Sequence, residues 1–145
     1  MASSPLAVVA RQRYDAPPEL VFHAFTDPDM LTRWFSPGPE IDVDVLAHEL
    51  RLGGRYRFRY REPDGTVSIV AGEFCAIVPP TRLVFTWTWE PPDVHAGVET
   101  LVTIDIAADG DGTLVVVTHE RFPDEPSRAR HAQGWRSTLA RLVTR

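Results

Sequence analysis

The sequence is short of several residues on which common chemistries depend. Cys75 is its only cysteine, so no internal disulfide can form and no cysteine-based zinc site can be built. Lysine is absent: all 15 basic residues are arginine, and against 20 acids they leave a formal charge of −5. An acidic total argues against a nucleic-acid footprint, which needs a net basic surface. No apolar run is long enough to cross a membrane; Leu6 to Ala10 is too short for the core of a signal peptide, and Met1 to Pro5 carries no basic lead-in. The expectation is a cytoplasmic protein with no membrane span. The histidines, His23, His48, His95, His119 and His131, show no metal-ligand spacing. There is no Gly-x-Ser-x-Gly elbow and no phosphate-binding glycine loop, and Gly53-Gly54 by itself is a turn. The sequence therefore assigns no catalytic residue, no metal and no cofactor.

What is present is the composition of an ordinary globular domain. A chain of 145 residues buries about two-thirds of its unfolded surface without staples. The last stretch, Asp124 to Arg145, predicts the one long helix. Ala132, Trp135, Leu139 and Leu142 recur at helical spacing, while Arg130, Gln133, Ser137, Arg141 and Thr144 fall opposite. Pro123, Asp124 and Pro126 mark its start, and about twenty helical residues would span roughly 30 Å. Gly134 inside it costs about 1 kcal/mol against alanine, which predicts close approach of another element or a slight bend.

Before that helix the chain reads mostly as sheet. Leu6 to Tyr14 predicts a strand; Pro17-Pro18 opens a short helix, and Thr26-Asp27-Pro28 breaks it and caps a second one carrying Trp34 and Phe35. Ile41, Val43 and Val45 alternate with Asp42 and Asp44. Tyr56, Phe58 and Tyr60 then alternate with Arg55, Arg57, Arg59 and Arg61 in the clearest two-residue period of the chain. Glu62-Pro63-Asp64-Gly65 turns into Thr66 to Val78, where Gly72 predicts a bulge. Leu83, Phe85, Trp87 and Trp89 make a second aromatic face, followed by strands over Val98 to Ile106 and Thr113 to Arg121. Six or seven antiparallel strands with helices at the two ends define an α+β domain.

A helix stripe around Trp135 must pack on the aromatic face of such a sheet, and large aromatics meeting there leave apolar gaps of the kind small ligands occupy. The candidate lining is Trp34, Phe58, Tyr60, Phe85, Trp87, His119, Trp135 and Leu139; a filled core made of the same residues is the alternative. His119, at the inner end of a strand, is the one acid-base candidate should a substrate reach it. The arginine row is either a site for an acidic partner or a solvated face balanced by neighbouring carboxylates. A two-fold homodimer, the commonest closed assembly, is the expected oligomer.

Several stretches taken together resemble a known family. Ala16-Pro-Pro-Glu-Leu-Val-Phe-His-Ala-Phe-Thr-Asp-Pro through Trp34, Gly53-Gly-Arg-Tyr-Arg-Phe, Gly72-Glu-Phe to Val78-Pro-Pro-Thr-Arg-Leu-Val-Phe-Thr-Trp, Thr118-His-Glu-Arg-Phe and Gly134-Trp135 are similar to the bacterial homologues of the activator of heat-shock protein 90 ATPase. That family sits in the START-like, or SRPBCC, helix-grip superfamily, and the resemblance runs from about Val8 to Val143. It implies a single helix-grip domain over residues 1–145, with a curved sheet wrapped around the C-terminal helix and a deep apolar cavity between them. It further implies binding of a hydrophobic small molecule or lipid, while some relatives in the superfamily act as polyketide cyclases; no catalytic motif is shared and none is carried over. The eukaryotic co-chaperone uses a separate N-terminal domain for part of its chaperone contact. This chain has no room for one, so contact with a chaperone is compatible with the resemblance but stimulation of its ATPase is not implied. The helix stripe ends close to Arg145, where similar proteins run on, so the far mouth of the cavity is expected to be open.

Overall fold

The structure, a computed structural model, describes residues 6–142. Its elements run in the order β1 (Leu6–Tyr14), α1 (Pro18–Thr26), α2 (Pro28–Trp34), β2 (Asp42–His48), β3 (Arg55–Arg61), β4 (Val67–Val78), β5 (Arg82–Trp89), β6 (Thr100–Asp109), β7 (Gly112–Phe122) and α3 (Glu125–Arg141). The strands number seven and form an antiparallel sheet in the order β1-β7-β6-β5-β4-β3-β2. From β3 to β7 each strand pairs with its predecessor. β1 adds to the free side of β7, with Leu6 opposite Phe122 and Tyr14 opposite Thr113. The two short helices carry the chain from one sheet edge to the other. Asp27 ends the first and caps the second, its carboxylate accepting the Met30 N–H at 3.3 Å.

The two-residue periods sort the faces as the pleat requires. Tyr56 and Phe58 of β3 and Leu83, Phe85, Trp87 and Trp89 of β5 are buried, while Arg55 and Arg57 are exposed. The arginine row is balanced by carboxylates on the adjoining strands and loop: Arg57 meets Glu90 at 2.8 Å, Arg59 and Arg61 meet Asp44 at 3.1 and 2.9 Å, and Arg55 lies 3.9 Å from Glu73. Arg61, and then Arg59, hold the Asp44 carboxyl below its ordinary value, and Arg57 does the same to Glu90.

Two local expectations shift. The irregularity in β4 lies not at Gly72 but between Phe74 and Ala76, where its register against β5 slips; Phe74 stays buried and Cys75 is exposed. Gly72 answers a different need. A Cβ there would lie 1.9 Å from the Thr86 carbonyl oxygen and 2.6 Å from the Tyr56 ring, so the glycine lets Tyr56 cover the strand and donate its hydroxyl to that same carbonyl. The terminal helix is also shorter than expected. Asp124 caps it by accepting the Ser127 N–H at 2.9 Å, and it ends at Arg141 with Leu142 already extended. Thr144 lies outside the described residues.

The helix α3 lies on the inner face of the sheet, closest to β1 and β7. The Tyr14 hydroxyl of β1 donates to the Leu139 carbonyl at 2.6 Å and pins the helix to that side. Its other flank therefore stands off from β3, β4 and β5. Phe35, just after α2, fills part of this space, edge-on to both Phe58 and Trp135 with ring centroids 5.7 Å away in each case. Among the described residues no helix is long and apolar enough to cross a membrane.

Candidate functional site

The remainder of that space is a cavity of about 280 Å³, near the lower end of the range of roughly 300–1,000 Å³ found for ligand sites. Its walls come from three places. The sheet supplies Trp87 and Trp89 of β5, with Tyr60 and Ser68 of the β3–β4 hairpin; the segment after α2 supplies Phe35, Pro37 and Ile41. The helix supplies His131, Gly134, Trp135 and Thr138, and Arg130, Gln133 and Glu62 are the remaining lining residues. A side chain at Gly134 would meet nothing within 4 Å. The expectation of a close approach at this glycine is thus corrected: the space beside it is open.

Behind the cavity lies a chain of polar contacts inside an aromatic core. The Trp135 indole N–H donates to His119 Nδ1 at 3.0 Å, and His119 Nε2 faces Thr100 Oγ1 at 2.7 Å. The Thr100 hydroxyl gives its own hydrogen to the Trp87 carbonyl at 2.8 Å. His119 must then carry its proton on Nε2. The Trp89 indole N–H donates to His131 Nε2 at 2.9 Å, and His131 Nδ1 donates to the Ser127 carbonyl at 2.7 Å, which fixes the opposite tautomer. The two imidazoles lie 4.9 Å apart, nearly perpendicular. Burial, and then the neighbouring His131, hold His119 well below the ordinary histidine value. Burial pushes His131 down to about 4, against the raising effect of the Ser127 carbonyl. Both rings are neutral at pH 7.

The Arg130 guanidinium stacks over Trp89 at 4.4 Å and makes paired hydrogen bonds to Asp93 at 2.8 and 2.9 Å. Burial acts to raise the Asp93 carboxyl, but the hydrogen bonds from Arg130 and the His95 N–H outweigh it and leave the group below its ordinary value. The charge at this edge of the cavity is compensated. Trp34 donates its indole N–H to the Ala24 carbonyl at 3.0 Å. Three of the four tryptophans therefore have an acceptor. The fourth, Trp87, does not: its Nε1 is the one buried side-chain polar atom without a partner among the described residues.

Of the eight candidate residues, the cavity brings together Tyr60, Trp87 and Trp135. Phe58 and Phe85 border only a chamber of about 20 Å³ deeper in the sheet, too small for anything beyond a single water. Trp34 packs edge-on against Phe25 and Phe35, with centroids 4.9 and 5.3 Å away. Leu139 is buried on the β1 side of the helix. His119 is 0% exposed and stands behind Trp135, both nitrogens engaged. Among the residues the sequence did not single out, Trp89 was readable, since it continues the alternation of Phe85 and Trp87. His131 was readable too, lying four residues before Trp135 on one helix face. Phe35, Ile41 and Thr138 carry no comparable signal. Among the described residues no three His, Cys, Asp or Glu side chains are grouped to hold a metal.

An antiparallel seven-stranded sheet holding a C-terminal helix over an aromatic cavity is the helix-grip, START-like class of α+β protein. Within that class, the family described as Activator of Hsp90 ATPase homolog 1-like protein matches residues 15–145, and the chain belongs to it. Protein CV1439 from Chromobacterium violaceum is 26% identical over 94% of this chain and 93% of its own, with a TM-score of 0.83. The AHSA1 protein from Silicibacter pomeroyi is 24% identical over 93% of each chain, with a TM-score of 0.81, a likeness of fold. CalU16 from Micromonospora echinospora is 28% identical over 92% of this chain and 71% of its own, with a TM-score of 0.67. No curated protein matches the chain.

Proposed function

We propose that the protein binds a hydrophobic small molecule, without covalent chemistry, in the cavity between α3 and strands β3–β5. The observation that carries this reading is Gly134. A glycine within a helix costs about 1 kcal/mol relative to alanine, and here no neighbour requires it, because a Cβ would project into open space. The helix gives up stability at a position on the cavity lining where a side chain would stand in open space. The aromatic walls and the commonly ligand-binding fold of the family agree with it. The arginine row offers little to an acidic partner, since its guanidiniums already face carboxylates. His119 is out of reach of anything in the cavity, which disfavours a cyclase-like role for it.

The test is Gly134→Leu. The leucine replaces a helix glycine and fills apolar space, so the melting temperature should rise by about 3 °C or more. Thermal shifts produced in the parent by apolar aromatic compounds should disappear in the variant. Undiminished ligand shifts in a folded Gly134→Leu protein would refute the assignment of the site, and a parent that no apolar compound stabilises would refute the binding function.

A further inference from the structure

A second site lies on the other flank of α3, along β1. This strand ends the sheet and is bonded to β7 alone, so the N–H and C=O groups of alternate residues are turned outward with no strand beside them. Natural sheet edges are blunted by a proline, a bulge or short length. The opposite edge, β2, has such a break, a register slip between Val45 and Ala47. From Ala7 to Tyr14, β1 has neither proline nor bulge, which leaves about 25 Å of regular edge.

The helix runs beside this edge. β7 ends at Phe122, opposite Leu6 and two residues before the Asp124 cap, and the Tyr14 hydroxyl reaches the Leu139 carbonyl. α3 therefore travels the length of β1 in the same direction. Between them lies a groove of about 300 Å³, walled by residues 7–12 of the strand and by Arg128, Ala132, Arg136 and Leu139, a single stripe of the helix.

The charge of the groove is one-sided. Arg128 is held by Glu125, and Arg13 by Asp15, Asp109 and Asp111. Arg11 and Arg136 are exposed, and among the described residues no carboxylate lies within ion-pair distance of either. Val8 and Tyr14 are buried on the inner face, so the alternation sets Arg11 on the outer one, while Arg136 belongs to the helix on the inner one. A strand laid against β1 would meet a cation on each of its two faces. In a protein of formal charge −5, such a local basic strip selects an acidic segment. A second copy of the chain fits less well, because two β1 edges paired about a two-fold axis would bring both sets of arginines together. We propose that this edge binds an extended acidic peptide of a partner protein, which adds to β1 as a further strand and presents carboxylates to Arg11 and Arg136.

The probe is the acetylated peptide Gly-Thr-Val-Glu-Asp-Val-Thr-Gly, titrated into the ¹⁵N-labelled full chain by calorimetry and ¹H–¹⁵N spectra. One control replaces Glu-Asp by Gln-Asn and removes the charge. The other replaces both valines by proline, keeping the charge and removing backbone donors that a strand needs. The acidic peptide should bind about tenfold or more tightly than either control, and the amides of alternate β1 residues should move downfield and exchange more slowly. Arg11→Glu and Arg136→Glu, both at exposed positions, should each weaken it about tenfold with the melting temperature little changed. Should either reversal fail to fold, the peptide series on the parent decides.

Equal binding of the neutral or the proline peptide, β1 amides that do not move, or reversed variants that bind as the parent does would overturn the proposal. No binding at millimolar peptide would overturn it as well. A chain that sediments as a dimer, with the same β1 amides already protected from exchange, would assign the edge to a second copy and overturn the peptide.

Discussion

The histidine pair predicts an acid-labile fold, and the size of the effect can be worked out. His131 has a folded pKa of about 4 and an unfolded one near 6.5. Between these values the unfolded chain binds more protons than the native one, so stability rises with pH; it is lost as the pH falls from about 6.5 towards 4. At pH 5 the unfolded histidine is almost fully protonated and the folded one is mostly neutral. The loss relative to pH 8 is then about 2 kcal/mol for His131 alone. His119, lowered by burial and by His131, and His48, lowered mainly by burial, add to the fall with the same sign. The depressed carboxylates of Asp44, Glu90 and Asp93 also act in this direction, but only nearer their ordinary values of about 4. The interval from pH 7 to 5 therefore belongs largely to the histidines. Urea unfolding followed by tryptophan fluorescence at pH 8, 7, 6 and 5 measures it, with a constant m-value showing that the states compared are the same. His131→Phe should cost about 1–3 kcal/mol at pH 8, because the Trp89 N–H and the Ser127 carbonyl lose their partner. It should also flatten the acid slope. A parent whose stability is level from pH 8 to 5, or a variant that falls as steeply as the parent, would refute the neutral-pair assignment.

Two further substitutions test the frame that holds the cavity. Gly72→Ala sets a Cβ 1.9 Å from the Thr86 carbonyl oxygen and should cost about 3 kcal/mol or more through forced displacement of β5 or the Tyr56 ring; a melting temperature equal to the parent's would contradict that packing. Asp124→Ala removes the acceptor of the Ser127 N–H and should cost about 1 kcal/mol. Amide exchange should quicken in the first turn of α3, whereas an unchanged exchange pattern would mean that the cap contributes nothing.

Much of the fold was legible because its signals are local. The alternation Tyr56-Phe58-Tyr60 against the arginines declares a strand and its buried face without reference to any partner. Asp124 with Pro126 declares a helix start, and Asp27 between two prolines declares the break between α1 and α2. The same reasoning separates inward from outward residues, which is why all eight candidate residues lie on inner faces or within the core. It does not say which inner residues meet a space and which meet one another. Trp87 and Phe85 are neighbours on one face of β5, yet one borders the cavity and the other is sealed. Gly134 read as a close approach or a slight bend in the sequence, and the space where its side chain would stand is open.

These differences come from contacts between residues far apart in the chain. Tyr14 draws Leu139 and its helix towards β1 across 125 positions, Arg141 bonds back to the backbone of Trp34 and Ser36 across more than a hundred, and the Trp89 indole N–H donates a hydrogen bond to His131 across 42. The sequence by itself determined the elements, their faces and the family. Only the tertiary structure decided the offset of the helix, the position of the cavity beside it and the one indole left without an acceptor. Periodicity specifies the direction in which a side chain points, whereas a void depends on the distance at which separately formed elements come to rest.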